Sequence, residues 1–226
     1  MQKRFLCFKD QPFVVLSANG SGGKSPGEEA ALAVDRIGKE LERMGASLDD
    51  VVRITVFTKN QECRLAVGEM RKKAFTPATR PASSSIIVHH FLPEDTIVEI
   101  EATALLPAGK KYQKKGIEFE PPRAYLKALR VESLLFLSGG GGTGDNIKTQ
   151  TETALARIGE TLAQLGSSWD KVLLLACYVK KYEWLDLVHK LARERAGSRP
   201  PPIELFLADG YANPEMLLEV EATAYL

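Results

Sequence analysis

The feature that most constrains this chain is that it is written twice. The segment RIGKELERMGASLDDV, Arg36 to Val51, returns as RIGETLAQLGSSWDKV, Arg157 to Val172, at an offset of 121 positions. Ser17 and Ser138, and Lys59 and Lys180, keep that offset. Arg80-Pro81 is echoed by Arg199-Pro200, and Glu99-Ile-Glu-Ala-Thr-Ala by Glu219-Val-Glu-Ala-Thr-Ala. A repeat this long, with its motifs in one order, indicates duplication of a whole domain and not a short solenoid unit. The expected organisation is a first domain over 1–106, a linker over 107–121 and a second domain over 122–226. The linker carries Pro107, Gly109, Lys110, Lys111, Lys114, Lys115 and Gly116, the composition of a solvated connection.

Each half shows the same periodicities. Val34, Ile37, Leu41 and Met44, matched by Leu155, Ile158, Leu162 and Leu165, recur at helical spacing and stop at Gly45 or Gly166, which suit a left-handed helix end. Apolar, β-branched runs over Val51–Thr58 and Val172–Val179 predict a central strand. A second helix is expected over Glu62–Ala74 and Glu183–Glu194. Shorter runs at Phe13–Ser17, Ser84–Val88 and Ile97–Leu105, with their matches at Leu134–Ser138, Ile203–Leu207 and Leu217–Tyr225, supply the other strands. The order is β-β-α-β-α-β-β, an α+β fold.

Two helices cover one face of such a sheet and leave the other in need of a partner. The last strand shows which residues face which way. In Val98-Glu99-Ile100-Glu101-Ala102 the period of two sets Val98, Ile100 and Ala102 toward the helices and Glu99, Glu101 and Thr103 toward the opposite layer. A second sheet over that layer would partly desolvate Glu99 and Glu219, raising a carboxyl pKa into the range useful for acid–base work. Solvated strand glutamates or interface ion pairs are the competing reading.

Composition narrows the rest. Apolar residues make up 44% and charged residues 26%, ordinary for a folded globular chain, and the net charge of +1 offers no general attraction to nucleic acid or membrane. No nucleic-acid partner is expected beyond what linker lysines could touch, and no membrane span or signal peptide is read. Three cysteines without CxxC spacing fit a reducing cytoplasm better than a disulfide framework or a structural zinc site. Adjacent His89 and His90 point to opposite faces of a strand, so no metal is expected there, and no cofactor. Gly139 to Gly144 reads as a loop over a cleft mouth, because the Lys-Ser/Thr of a phosphate loop is missing.

The helix RIGxxLxxxGxSxDxV, the strand after it, the Arg-Pro pair and the terminal E-[IV]-E-A-T-A strand together resemble the Rid/YjgF (reactive-intermediate deaminase, endoribonuclease L-PSP-like) family, twice over and across nearly the whole chain. The resemblance implies two tandem chorismate-mutase-like domains, helices on one face of each sheet, and clefts between neighbouring sheets in a homotrimer or pseudo-trimeric assembly. It implies hydrolysis of reactive imines or enamines, with an arginine in an R-P-x-R-S-like stretch binding the substrate carboxylate and a glutamate at the first position of E-x-E-A positioning water.

Both halves depart from that pattern. The clamp position is Ser83 in the first half and Pro202 in the second. The pocket tyrosine survives as Tyr125, with Ser138-Gly139 after it, while the first half has Arg4 and Ser17-Ala18-Asn19. A position commonly cysteine in the family is Ser85 or Glu204. Expected catalytic residues are therefore Glu219, Glu204 and Glu99, with Glu204 and Glu219 on adjacent strands as a carboxylate pair. Tyr125, Ser138, Gly139, Ser83 and Ser85 are the expected substrate-binding residues. Two functions stand open: a divergent, metal-free hydrolase or deaminase acting on a small imine, enamine or carbonyl compound, and a non-catalytic small-ligand-binding or assembly protein.

Overall fold

The computed structural model describes residues 1–8, 11–107 and 112–226. Gly109, Lys110 and Lys111 of the expected linker lie outside the described residues. The first sheet is built from β1 (Gln2–Phe8), β2 (Gln11–Asn19), β3 (Val51–Thr58), β4 (Ala82–Ile87) and β5 (Val98–Leu105) in the order β1-β2-β5-β3-β4, with α1 (Pro26–Arg43) and α2 (Gln61–Ala74) on one face. The second half repeats this with β7 (Ala128–Val131), β8 (Leu134–Gly140), α3 (Ile147–Gln164), β9 (Val172–Val179), α4 (Leu185–Ala196), β10 (Ile203–Leu207) and β11 (Leu218–Tyr225). One strand was not anticipated. Residues read as linker form β6 (Lys114–Ile117), which extends the second sheet to the order β10-β9-β11-β8-β7-β6. Lys114 folds back onto the first half, donating to the Val51 carbonyl at 3.4 Å and to that of Asp49.

Three of the helices, α1, α2 and α3, start where the backbone gains a side-chain acceptor. Ser25, Asn60 and Asn146 accept from the amides of Glu28, Cys63 and Thr149 at the starts of α1, α2 and α3. Under each pair of helices lies an apolar core. Val98, Ile100 and Ala102 pack there with Ile37, Leu41 and Val67, as the alternation in the last strand requires, and Leu218, Val220 and Ala222 repeat the arrangement.

The faces turned away from the helices cover each other within the chain. Phe13, Val52 and Leu105 of the first half pack with Leu129, Leu134 and Phe136 of the second, and Ile86 packs with Ala176, Tyr178 and Tyr211. The contact is head to tail. The β4 edge lies against β8, with a parallel bridge from Ala82 to Leu126 and an antiparallel one from Ile87 to Gly210. Among the described residues the corresponding β10 edge of the second half receives no such cover: Phe206 and Leu207 are 43% and 53% exposed, as are Phe5 and Leu6 of β1 at 63% and 55%. A head-to-tail contact always leaves one such pair of complementary surfaces unused.

Candidate functional site

The covered contact builds one composite cleft. Its centre is Glu219 on β11, whose side chain points to the open face and is only 5% exposed. The serine run of β4 stitches the first half to it. The Ser85 amide donates to Glu219 Oε1 at 3.2 Å, the Ser83 amide donates to Ser138 Oγ at 2.7 Å, and the Gly139 amide donates to Ser84 Oγ at 3.1 Å. Ser84 Oγ donates in turn to Glu221, and Ser138 Oγ to the Leu126 carbonyl at 2.5 Å. A cleft of about 660 Å³ opens from this seam, lined by Tyr125, Ser138, Gly139, Arg157 and Glu219 among others. Residues Gly139 to Thr143 form part of its wall, but Gly139 and Gly140 belong to strand β8 and not to the loop expected over the cleft mouth.

A local irregularity aims the site. In the first half β2 and β5 pair in unbroken register, Ser17 with Glu101, Ala18 with Ile100 and Asn19 with Glu99. In the second half the register of β11 against β8 shifts between Val220 and Ala222. Such bulges re-aim side chains. Ala18 consequently sits in the helix-side core, whereas a Cβ on its counterpart Gly139 would lie 2.1 Å from Glu219 Oε1. Glycine is what lets the carboxyl lie against the strand.

Burial sets the chemistry. Desolvation pushes the Glu219 carboxyl up to about 8, reinforced by the negative Glu221 and opposed by the Ser85 amide and by Arg71. A group near that value is largely protonated at neutral pH and can both give and take a proton.

Sequence reasoning missed Arg71. It lies on α2, is 4% exposed, and donates through Nη2 to Ser85 Oγ at 2.7 Å and to the Ser84 carbonyl at 3.3 Å, with its guanidinium 5.2 Å from the Tyr125 ring centroid. A signal existed. Arg71 follows Val67 by one helical turn, and at the repeat offset it corresponds to Ala192, which is fully buried. An arginine where the repeat buries an alanine marks a special position. Arg53 was missed likewise. From the middle of β3 it reaches across to Thr223 Oγ1 at 2.9 Å, the Leu137 carbonyl at 3.2 Å and Glu221 at 3.6 Å.

The expected residues therefore divide. Glu219, Tyr125, Ser138, Gly139, Ser83 and Ser85 come together. Glu99 does not: it accepts from Ser17 Oγ on the first half's own sheet and is partly exposed. The pairing of Glu204 with Glu219 on adjacent strands is corrected, because β9 lies between β10 and β11. Glu204 aligns with Ala176, which faces Glu221, and it lines a second cleft of about 690 Å³ between the open parts of the two sheets, with Arg4, Arg53, Glu101 and Glu221.

Two mutually covering sheets, each backed by helices, with a composite cleft suited to a small ligand, define the class. The chain belongs to the endoribonuclease L-PSP family, whose model matches residues 16–106 and again 117–226. It is a tandem duplication within the Rid/YjgF group. A RutC family protein of Synechocystis sp. is 35% identical over 79 residues, covering 35% of this chain and 60% of that protein. A RutC family protein of Pyrococcus abyssi is 34% identical over 77 residues, 34% of this chain and 59% of that one. The chain thus spans about three-fifths of the length of these relatives. Among solved structures, a YjgF/YER057c/UK114 family member of Mycobacterium tuberculosis, 28% identical with a TM-score of 0.48, covers 50% of this chain and 100% of its own. A chorismatase, 17% identical, covers 98% of this chain and 79% of its own with a TM-score of 0.66, a likeness of the two-domain fold alone. Among the described residues no helix is long and apolar enough to cross a membrane.

Proposed function

We propose that the chain hydrolyses the C=N bond of a small imine, or of an enamine through its imine tautomer, at Glu219. The observation that carries this is the buried Glu219 carboxyl, raised to about 8 and held against Gly139 at the wall of an open cleft. Protonated Glu219 gives its proton to the imine nitrogen. Water then adds to the carbon while the carboxylate takes one of its protons. Glu219 next protonates the amine of the carbinolamine, the C–N bond breaks, and the carboxylate removes the hydroxyl proton. Ammonia and a carbonyl leave, one water is consumed and Glu219 ends protonated as it began. Tyr125, Ser138 and Gly139 shape the pocket, while Ser83 and Ser85 of the first half complete it.

The test is ammonia release from freshly generated 2-aminoacrylate and related imines. Wild type should accelerate it, and Glu219→Gln should lose on the order of 10²- to 10⁴-fold, the usual worth of a general acid–base group. Glu99→Gln should stay near wild type. Equal loss in both variants would sink the assignment of the chemistry to Glu219, and no acceleration by wild type would sink the reading altogether and favour a binding protein.

A further inference from the structure

We propose that the open cleft between the two sheets is a second ligand site, separate from the Glu219 cleft, and that it takes a flat aromatic molecule carrying a protonated amine. Its volume of about 690 Å³ is close to the 660 Å³ of the Glu219 cleft, room enough for a small molecule. Each part of such a ligand has its own feature of the wall. For the ring there is an aromatic step that crosses the domain contact. Phe57 of the first half lies edge-on to Tyr178, ring centroids 6.4 Å apart, and Tyr178 stacks on Phe206 at 5.2 Å and 20°. Tyr178 is buried, whereas Phe206 stays exposed at the cleft wall. For the amine there is a carboxylate in excess. The wall sets Arg4 and Arg53 against Glu101, Glu204 and Glu221. Arg4 pairs with Glu101 at 2.9 Å and Arg53 with Glu221 at 3.6 Å, which leaves Glu204 without an ion-pair partner among the described residues. A cation balances it, and an anion does not. Glu204 and Phe206 are two residues apart on β10, so their side chains leave one face of the strand roughly 7 Å from each other. A ring laid on Phe206 therefore brings an ammonium on a short arm to Glu204, and the aromatic faces attract that cation as well.

A second copy of the chain is the rival occupant, because this face belongs to the unused side of the head-to-tail contact. The strand registers disfavour it. Ser84 pairs with Thr55 and Glu204 with Ala176, and Thr55 and Ala176 stand 121 positions apart, the repeat offset. Glu204 thus occupies in β10 the place that Ser84 occupies in β4. Across the covered contact Ser84 gives its hydroxyl to Glu221, whose counterpart in the first half is Glu101. Repeating that contact with another copy would set Glu204 against Glu101, carboxylate to carboxylate, with Leu174 where the covered contact has Arg53. Like charges brought face to face reject a partner. The face is therefore kept from self-association, and its carboxylate stays available to a cation.

The assignment is independent of any turnover at Glu219. Tryptamine, indole-3-acetate and ethylamine would be titrated calorimetrically into the full chain near pH 7, with sedimentation run at the same protein concentration. Wild type should sediment as a monomer and bind tryptamine more tightly than indole-3-acetate, which keeps the ring and reverses the charge, or ethylamine, which lacks the ring. Glu204→Gln should weaken tryptamine about three- to tenfold, the span from a surface ion pair to a charged hydrogen bond, and leave indole-3-acetate no weaker. Phe206→Ala should weaken both indoles. Both variants replace exposed side chains and should keep the fold. Glu219→Gln should bind tryptamine as wild type does. Absence of tryptamine binding, equal affinity for the two indoles, undiminished binding in Glu204→Gln, or loss of binding in Glu219→Gln would overturn the assignment. So would sedimentation of wild type as an oligomer that Phe206→Ala dissociates, which would give the face to a second copy.

Discussion

Glu99 and Glu219 occupy the same position in the two copies of one strand, yet they live in different places. Glu219 lies under the β4 edge of the other half, 5% exposed and with its carboxyl raised to about 8. Glu99 lies where the corresponding cover would come from a third domain, and its partner is Ser17 of its own sheet. The residue type is identical, so the difference belongs to the packing. A head-to-tail pair of domains closes one cleft and leaves the other open. The first copy's β4 edge, Arg53 and Arg71 make their contacts instead at the covered face, where Arg71 and Glu219 meet at Ser85.

The largest stability effect expected from breaking this asymmetry comes from Arg53. Its hydrogen bonds and ion pair all cross to the second half, onto Thr223, Leu137, Ala222 and Glu221. Arg53→Ala strands Glu221 as a buried charge and should cost about 3–5 kcal/mol by urea unfolding. Lys39→Ala, which removes an exposed helical pair with Asp35 at 2.6 Å, should cost under about 1 kcal/mol. Similar costs for the two would show that the covering contact is not held as described.

Next comes the pH dependence of stability. Glu219 titrates near 4.5 when unfolded and near 8 when folded. Below the lower value both states hold the proton and the group is neutral to folding. As pH rises through 4.5 the unfolded chain releases its proton first, so stability falls until about pH 8 and then levels off. At about 1.4 kcal/mol per unit the loss is a few kcal/mol at most. Denaturation midpoints between pH 5 and 9 should therefore converge for Glu219→Gln relative to wild type, while Glu99→Gln keeps the wild-type slope. A wild-type slope in Glu219→Gln would place the titration elsewhere.

The repeat made the fold legible, because each half checked the other. The strands Val51–Thr58 and Val172–Val179 and the facing of Val98, Ile100 and Ala102 follow from periodicity alone. Periodicity gives faces and not strand order, and for that reason Glu204 was set beside Glu219 although β9 separates them. The short, charged β6 has no alternation to announce it. Arg71 reads as the start of a basic helix end with Lys72 and Lys73, and only its alignment with Ala192 sets it apart. Those residues act across the domain contact, and no pattern local to one half reports on what the other half brings.

The bulge gives the finest test of the comparison, since it separates Gly139 from its neighbour. A Cβ at Gly139 meets Glu219 Oε1 at 2.1 Å and Ser84 Oγ at 2.5 Å, both pinned by hydrogen bonds across the domain contact; at Gly140 it meets nothing within 4 Å. Neither glycine has a positive φ, so backbone freedom does not confuse the comparison. Gly139→Ala should cost about 1–3 kcal/mol through overpacking and lower turnover further by displacing the carboxyl. Gly140→Ala should stay within about 0.5 kcal/mol. In the first half the counterpart of Gly139 already is an alanine, Ala18, carried into the core by unbroken pairing with β5. If Gly139→Ala proved as harmless as Gly140→Ala, the β11–β8 register shift would not be what aims Glu219, and the difference between the two glutamates would rest on the β4 cover alone.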